Sequence, residues 1–201
     1  MLIKTIHSDS YTDKEIQDII NLCRSNYDES GNYSIDDWEN KDNTLLSVFL
    51  KQKRFSKDNG GIVLIYDNQK LCGLSGYNKS NFNSDIYILG ARTLIDKEYR
   101  HRLLMSSYFI PTQIDLVKDR AKMVVFIFDK NNVFNLYDIF TQGKLNLFLK
   151  NKYNDFAHIW DNLKAIDFPV IIYNGSVHNV LYINIDKAFE FNWETLKANH
   201  V

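Results

Sequence analysis

The sequence IVLIYDNQKLCGLSGY, residues 62–77, contains two apolar runs on either side of the polar turn Asp67-Asn-Gln-Lys70. A turn this short can join only antiparallel strands, because parallel strands need a crossover of about a dozen residues or more. The stretch therefore predicts a β-hairpin. A protein that contains it is expected to be organised around a β-sheet.

Further strands are predicted on both sides of this hairpin. Residues 2–7 alternate in hydrophobicity as a half-buried strand does, and residues 86–95 provide a third member of the meander, with Gly90 as a candidate bulge. Residues 123–128, MVVFIF, form an apolar run typical of a central buried strand. Residues 168–173 and 177–185 flank an Asn-Gly turn and predict a second hairpin.

Helical patterns lie between these strands. Thr12-Asp-Lys-Glu15 has the form of a capping box, and apolar residues follow it at helical spacing as far as Cys23. Weaker patterns predict helices over 43–51, 131–140 and 143–150, and a short helix after residue 186.

A longer helix is predicted over residues 101–121, but Pro111 falls inside it. An interior proline removes one backbone hydrogen bond and clashes with the preceding turn. The helix is therefore expected either to begin near Pro111 or to be kinked there.

Length and composition predict one α/β domain over residues 1–201. Apolar residues make up 45% of the chain and charged residues 24%, which is enough to bury a core and excludes the disordered class. Lys and Arg number 24 against 25 Asp and Glu, so the net charge of −1 gives no general attraction to nucleic acid or to an anionic membrane. Neither is expected as a partner.

The sequence contains no apolar run near the roughly 20 residues of a membrane helix and no signal-peptide layout, so a cytoplasmic protein is expected. Cys23 and Cys72 have no second cysteine or histidine at ligand spacing. They predict two small buried residues, with neither a metal site nor a redox pair.

Three segments carry a family resemblance: RTLI at 92–95, KEYRHRLLMS at 97–106 and DKNNVFNLY at 129–137. With the element order, they resemble the GNAT superfamily of acyl-CoA-dependent N-acyltransferases over about residues 2–185, and within it the proteins of tailed bacteriophages. The resemblance implies an α/β fold with a mixed, mostly antiparallel sheet flanked by helices.

The resemblance implies that the turn before the long helix binds the pyrophosphate of coenzyme A. The family pattern there is Arg or Gln, two residues, Gly, one residue, then Gly or Ala, and Arg100 stands at its first position. Leu103 and Met105 replace the small residues. The implied phosphate contacts are Arg100, Arg102, Leu103, Met105 and Ser106, and the alternative is a solvated basic turn.

The other two segments imply the remaining contacts of acetyl-CoA. Thr93 and Ile95 would pair their backbone with the pantetheine arm, and Asn131 or Asn132 would contact the cofactor near its sulfur. Tyr137 would protonate the departing thiolate, because a phenol with a pKa near 10 keeps its proton at neutral pH. The alternative is that Tyr137 packs its ring in the core and directs its hydroxyl to water.

The acceptor side is less defined. Glu98, His178 or a water chain could take the proton of an amine, although Glu98 could also cap a helix and His178 could pair across its hairpin. Arg92 could bind an acidic acceptor or face solvent. The sequence thus predicts an N-acetyltransferase that acts on a small-molecule or peptide amine, with a non-catalytic binding module on the same fold as the alternative. It leaves the oligomeric state open.

Overall fold

The structure is a computed structural model that describes residues 1–26, 53–102, 104–129, 137, 141–142, 161–173 and 176–198. The helices predicted over 43–51 and 143–150 lie outside these residues. So does the one predicted over 131–140, except for Tyr137, which is helical. These three helices remain predictions.

The described residues divide into two compact units. One comprises Met1–Lys79 and Gly90–Gln113, and the other comprises Ser80–Leu89 and Ile114–Val201. The chain passes from one unit to the other after Lys79, after Leu89 and after Gln113. The expectation of a single domain over residues 1–201 remains a prediction.

Strands dominate both units, and among the described residues they belong to one mixed, mostly antiparallel sheet that helices flank. The predicted fold class is therefore confirmed. The strands are β1 (Leu2–Ile6), β2 (Gly60–Asp67), β3 (Lys70–Lys79), β4 (Ile86–Ile95), β5 (Met123–Asp129), β6 (Lys164–Ala165), β7 (Val170–Tyr173) and β8 (Ser176–Asn184).

In the first unit the strand order is β1-β2-β3-β4. β2 and β3 form the predicted hairpin, with an antiparallel register that runs from Gly60 opposite Asn78 to Asp67 opposite Lys70. The turn residues Asn68 and Gln69 both have positive φ, 47° and 69°. Two successive left-handed residues match the twist of the strands, which is why so short a turn closes this hairpin.

Helix α1 (Asp13–Ser25) packs on the first unit's sheet through the predicted apolar face. Ile19, Leu22 and Cys23 join a buried cluster with Ile62 and Leu64 of β2. The predicted capping box begins the helix: the Thr12 hydroxyl accepts a bond from the Glu15 amide at 3.3 Å, and the Thr12 amide donates to the Glu15 carboxylate at 2.7 Å.

Replacing Thr12 by alanine should lower the free energy of unfolding by about 1 kcal/mol, because the Glu15 amide loses its side-chain acceptor. Urea unfolding followed by circular dichroism measures this effect. Thr12→Ser keeps the hydroxyl and should retain most of the wild-type stability. Equal losses in both variants would contradict a capping role.

After β4 the chain forms a 3₁₀ turn (Lys97–Arg102), a π-helical turn (Met105–Phe109) and helix α2 (Ile110–Val117). The single helix predicted over 101–121 is therefore wrong in extent. Pro111 is the second residue of α2, and the π-helical turn runs into that helix without a break, so the choice between a start and a kink at Pro111 remains a prediction.

In the second unit the order is β4-β5-β8-β6, with β7 also paired to β8. β4 and β5 are parallel over a register from Ile86/Met123 to Leu89/Phe126. β7 and β8 form the second predicted hairpin. β6 was not predicted, because two residues are too few to show a period. The expected terminal helix is a 3₁₀ turn, Trp193–Leu196, whose Trp193 packs on Phe82 and Phe191.

Both cysteines are buried and unpaired, as the sequence predicts. Burial raises the pKa of the Cys23 thiol to about 12 and also raises the pKa of Cys72. Both are therefore thiols at neutral pH. In the part of the chain that the structure describes, no helix is long and apolar enough to cross a membrane.

Candidate functional site

The second half of β4 departs from regular extended backbone. Gly90 has a φ of +75° and Arg92 a φ of +55°. Glycine adopts this left-handed region without strain, whereas arginine does so at a cost. The bulge predicted at Gly90 remains a prediction; the structure shows a distorted segment of the strand from Gly90 to Arg92, and Thr93 and Ile95 lie beyond it.

Thr93 and Ile95, the residues implied for the pantetheine arm, both make hydrogen bonds within the first unit. The Thr93 hydroxyl lies 2.9 Å from the Gly90 carbonyl and 2.8 Å from the Ser75 hydroxyl. The Ile95 carbonyl accepts a bond from Arg100 Nε at 3.2 Å. Thr93 is exposed and Ile95 is half-buried.

The 3₁₀ turn after β4 is held by two side chains that sequence reasoning missed. Asp96 is 4% exposed; its carboxylate accepts from the Glu98 amide at 3.0 Å, and its carbonyl accepts from the Tyr99 amide at 2.8 Å. Asn26 Oδ1 accepts from the Lys97 amide at 2.9 Å. The first amides of the turn are thus already bound to protein groups. Only the Asp directly before the turn could have signalled this.

The two arginines implied for phosphate both lie on this turn and are exposed. Arg100 donates to the Ile95 carbonyl and, at 3.4 Å, to Asn26 Oδ1. Arg102 forms an ion pair with Asp67 at 3.2 Å and stacks on Tyr99, with its guanidinium carbon 4.5 Å from the ring centroid. Protein partners therefore hold both guanidinium groups, and the phosphate site on this turn remains a prediction.

Tyr99 connects this turn to the β2–β3 hairpin. Its hydroxyl donates to Asp67 at 3.2 Å. Hydrogen bonding to the Cys72 thiol and the Asp67 carboxylate, together with desolvation, raises the pKa of Tyr99 to about 12. Tyr99 thus keeps its proton and remains a donor to the carboxylate that also binds Arg102.

Leu103 and Met105 occupy the positions that hold small residues in the GNAT pattern. Leu103 lies outside the described residues. Met105 begins the π-helical turn, and its methyl carbon is 3.5 Å from the place that a Cβ on Gly90 would occupy. Its side chain therefore packs against the distorted segment of β4. Ser106, next to it, is half-buried.

Glu98, one of the candidate bases, lies at the surface of the first unit. Its side chain is 65% exposed, and its carboxylate forms an ion pair with Lys70 at 2.7 Å. Lys70 also lies 3.1 Å from Asp96, and the carboxylates of Glu98 and Asp96 raise the pKa of this lysine. In the structure, Glu98 is thus paired with Lys70. The capping role that was the alternative for Glu98 is filled by Asp96.

The other predicted catalytic residues belong to the second unit. The Tyr137 hydroxyl donates to the Ile166 carbonyl at 2.7 Å. The alternative reading directed this hydroxyl to water, whereas the structure gives it a protein acceptor. His178, in β8, is 8% exposed and lies opposite Val170 of β7, as expected for a residue that pairs across the hairpin. Asn131 and Asn132 lie outside the described residues.

No protein-family model and no curated protein sequence matches this chain. Solved structures do. A protein of Desulfovibrio desulfuricans assigned to the GNAT acetyltransferases superposes with a TM-score of 0.54 at 7% identity, over 92% of this chain and 99% of its own. The PaiA N-acetyltransferase of Thermoplasma acidophilum, solved with coenzyme A, gives 0.50 at 12%, over 92% and 99%.

A third neighbour is the aminoglycoside 6′-N-acetyltransferase of Enterococcus faecium, with a TM-score of 0.50 at 12% identity, over 94% of this chain and 100% of that one. At such identities the likeness establishes the fold. This chain has the fold of the GNAT acetyltransferases. The narrower resemblance to bacteriophage proteins remains a prediction.

Proposed function

We propose that this protein is a cytoplasmic N-acetyltransferase that moves an acetyl group from acetyl-CoA to a primary amine. The observation that carries the proposal is a basic turn between β4 and the following helix, in a chain with the GNAT fold. One structural neighbour is a complex with coenzyme A; two are named as N-acetyltransferases, and the third is assigned to the GNAT acetyltransferases. Their acceptors do not identify the acceptor of this chain.

The donor groups of the turn suit a polyphosphate. A guanidinium group carries five N–H donors in a planar fork that matches phosphate oxygens. Arg100 and Arg102 are exposed on the same six-residue turn. Met105, Ser106 and Leu103 follow, and the backbone of Thr93 and Ile95 would receive the pantetheine arm as an added strand.

The transfer step needs one acid and one base. The amine nitrogen bonds to the acetyl carbon, the carbon–sulfur bond breaks, and the departing sulfur takes a proton. Tyr137 would donate that proton, for which its hydroxyl must turn away from the Ile166 carbonyl. Glu98, His178 or water would take the proton that the amine loses, and Asn131 or Asn132 would bind the cofactor near its sulfur.

A non-catalytic binding module on the same fold is the second candidate. It is favoured by the contacts of the proposed groups with the protein itself: Tyr137 binds a backbone carbonyl, Arg102 binds Asp67, and Met105 packs over Gly90. Such a module would bind an anionic ligand or coenzyme A without turnover.

Calorimetry with acetyl-CoA and free coenzyme A tests the cofactor assignment, and saturable binding of both is expected. Release of free thiol is then measured with aminoglycosides, which the Enterococcus neighbour acetylates by name, and with polyamines and peptide N-termini. Binding without thiol release on every amine would favour the module. No binding at millimolar acetyl-CoA would refute the acetyltransferase, and it would equally refute a module that binds coenzyme A.

A further inference from the structure

Gln113 lies in α2, and its side chain is completely buried in the first unit at 0% exposure. Its carboxamide contacts two neighbouring strands. Oε1 lies 3.1 Å from the Gly90 amide of β4, and Nε2 lies 3.0 Å from both the Ser75 carbonyl and the Ser75 hydroxyl of β3, and 3.2 Å from the Gly76 carbonyl.

The partners fix the orientation of this carboxamide. A backbone amide can only donate, so the atom that faces Gly90 N must be the oxygen. Backbone carbonyls can only accept, so the atom that faces Ser75 and Gly76 must be the nitrogen. The flipped orientation would set the nitrogen against the Gly90 amide and the oxygen against two backbone carbonyls.

The same rule fixes the direction of the remaining bonds. The Thr93 hydroxyl has one proton, which it donates to the Gly90 carbonyl at 2.9 Å. The Ser75 hydroxyl must therefore donate to Thr93 Oγ1, 2.8 Å away, and its own oxygen accepts from Gln113. The bonds run from Gln113 to Ser75, Thr93 and Gly90 and return to Gln113, and we call this closed chain the Gln113 ring.

The Gln113 ring surrounds the distorted segment of β4. It binds both backbone groups of Gly90, whose φ is +75°, and the side chain of Thr93, and so encloses Arg92 at its strained φ of +55°. A strained backbone persists only where its surroundings fix it. Four directed hydrogen bonds, three of which involve buried Ser75 or Gln113, supply that constraint.

We infer that Gln113 is a positioning residue: through the Gln113 ring it sets the course of β4 beyond Gly90, and thereby the place of the Thr93 and Ile95 backbone groups that receive the acyl-CoA. This inference rests on the proposed function. Gln113 itself touches no substrate in this scheme. Loss of its carboxamide should weaken thioester binding while leaving the chemistry of the bound complex intact.

Gln113→Met tests the inference, because it keeps the volume and removes every hydrogen bond of the side chain. Each backbone hydrogen bond to the pantetheine arm that is lost should weaken binding by up to about 10-fold, so we expect the acetyl-CoA dissociation constant and KM to rise by about 10- to 100-fold with kcat nearly unchanged. Hydrogen exchange should show lost protection of the Gly90 amide. Ile19→Ala, a cavity in the α1 core, controls for instability and should leave binding unchanged.

Ser75→Ala opens the Gln113 ring at another point by removing a single oxygen, so it tests the inference if Gln113→Met does not fold. The variant that carries both changes should bind acetyl-CoA no more weakly than the single variant with the lower affinity, since both changes break the same closed chain of bonds. Wild-type affinity in a folded Gln113→Met or Ser75→Ala protein would overturn the inference and leave the proposed function standing. A wild type that does not bind acetyl-CoA would instead refute the proposed function, and this inference with it.

Discussion

Replacing Tyr137 by phenylalanine should lower turnover by about 10²- to 10⁴-fold, the usual contribution of a positioned proton donor. The departing thiolate would then take its proton from water. Affinity for acetyl-CoA should remain nearly unchanged, because the proton is needed only as the carbon–sulfur bond breaks. Steady-state thiol release measures kcat, and calorimetry measures the affinity.

Because the Tyr137 hydroxyl bonds to the Ile166 carbonyl, this experiment distinguishes a catalytic role of the hydroxyl from a purely structural one. If the hydroxyl only holds that carbonyl, Tyr137→Phe should cost about 1 kcal/mol of stability and leave turnover intact. Tyr87→Phe is the matched control. The Tyr87 hydroxyl is buried and has no hydrogen-bond partner among the described residues, so its removal should affect neither stability nor turnover adversely.

The sheet could be predicted because local rules decide it. The 62–77 hairpin follows from a turn too short for parallel strands, and β5 follows from an uninterrupted apolar run. The capping box fixed the start of α1 in the same way. In each case the pattern that decides the element lies within a few neighbouring residues of the sequence.

The contacts that shape the candidate site could not be predicted, because they join residues far apart in the chain. Gln113 meets Ser75 across 38 positions, and Asn26 reaches the amide of Lys97 across 71. Arg102 appeared as an exposed donor, and nothing nearby in the sequence indicated Asp67 as its partner. A single polar residue on an apolar helix face shows that something must satisfy it, but not what.

Replacing Arg100 and Arg102 by alanine should raise the dissociation constant for acetyl-CoA by about 10- to 100-fold per charge-assisted contact that is lost. Stability should change little, because the Arg102–Asp67 pair lies at the surface, where such pairs contribute about 0 to 1 kcal/mol. Lys57→Ala removes one exposed charge from the same unit and should leave the affinity unchanged.

The Arg102–Asp67 ion pair suggests a further variant, which should change the affinity for acetyl-CoA in the opposite direction. Asp67 holds Arg102 in the ligand-free protein, so a bound phosphate must compete with its carboxylate for the same guanidinium. Asp67→Asn removes that charge while keeping an acceptor for the Tyr99 hydroxyl, and it should strengthen binding of acetyl-CoA. The gain should vanish when Arg102 is already alanine, because the two residues act through one contact. An arginine double variant that binds as the wild type does would show that the phosphates bind elsewhere, whatever Asp67→Asn does.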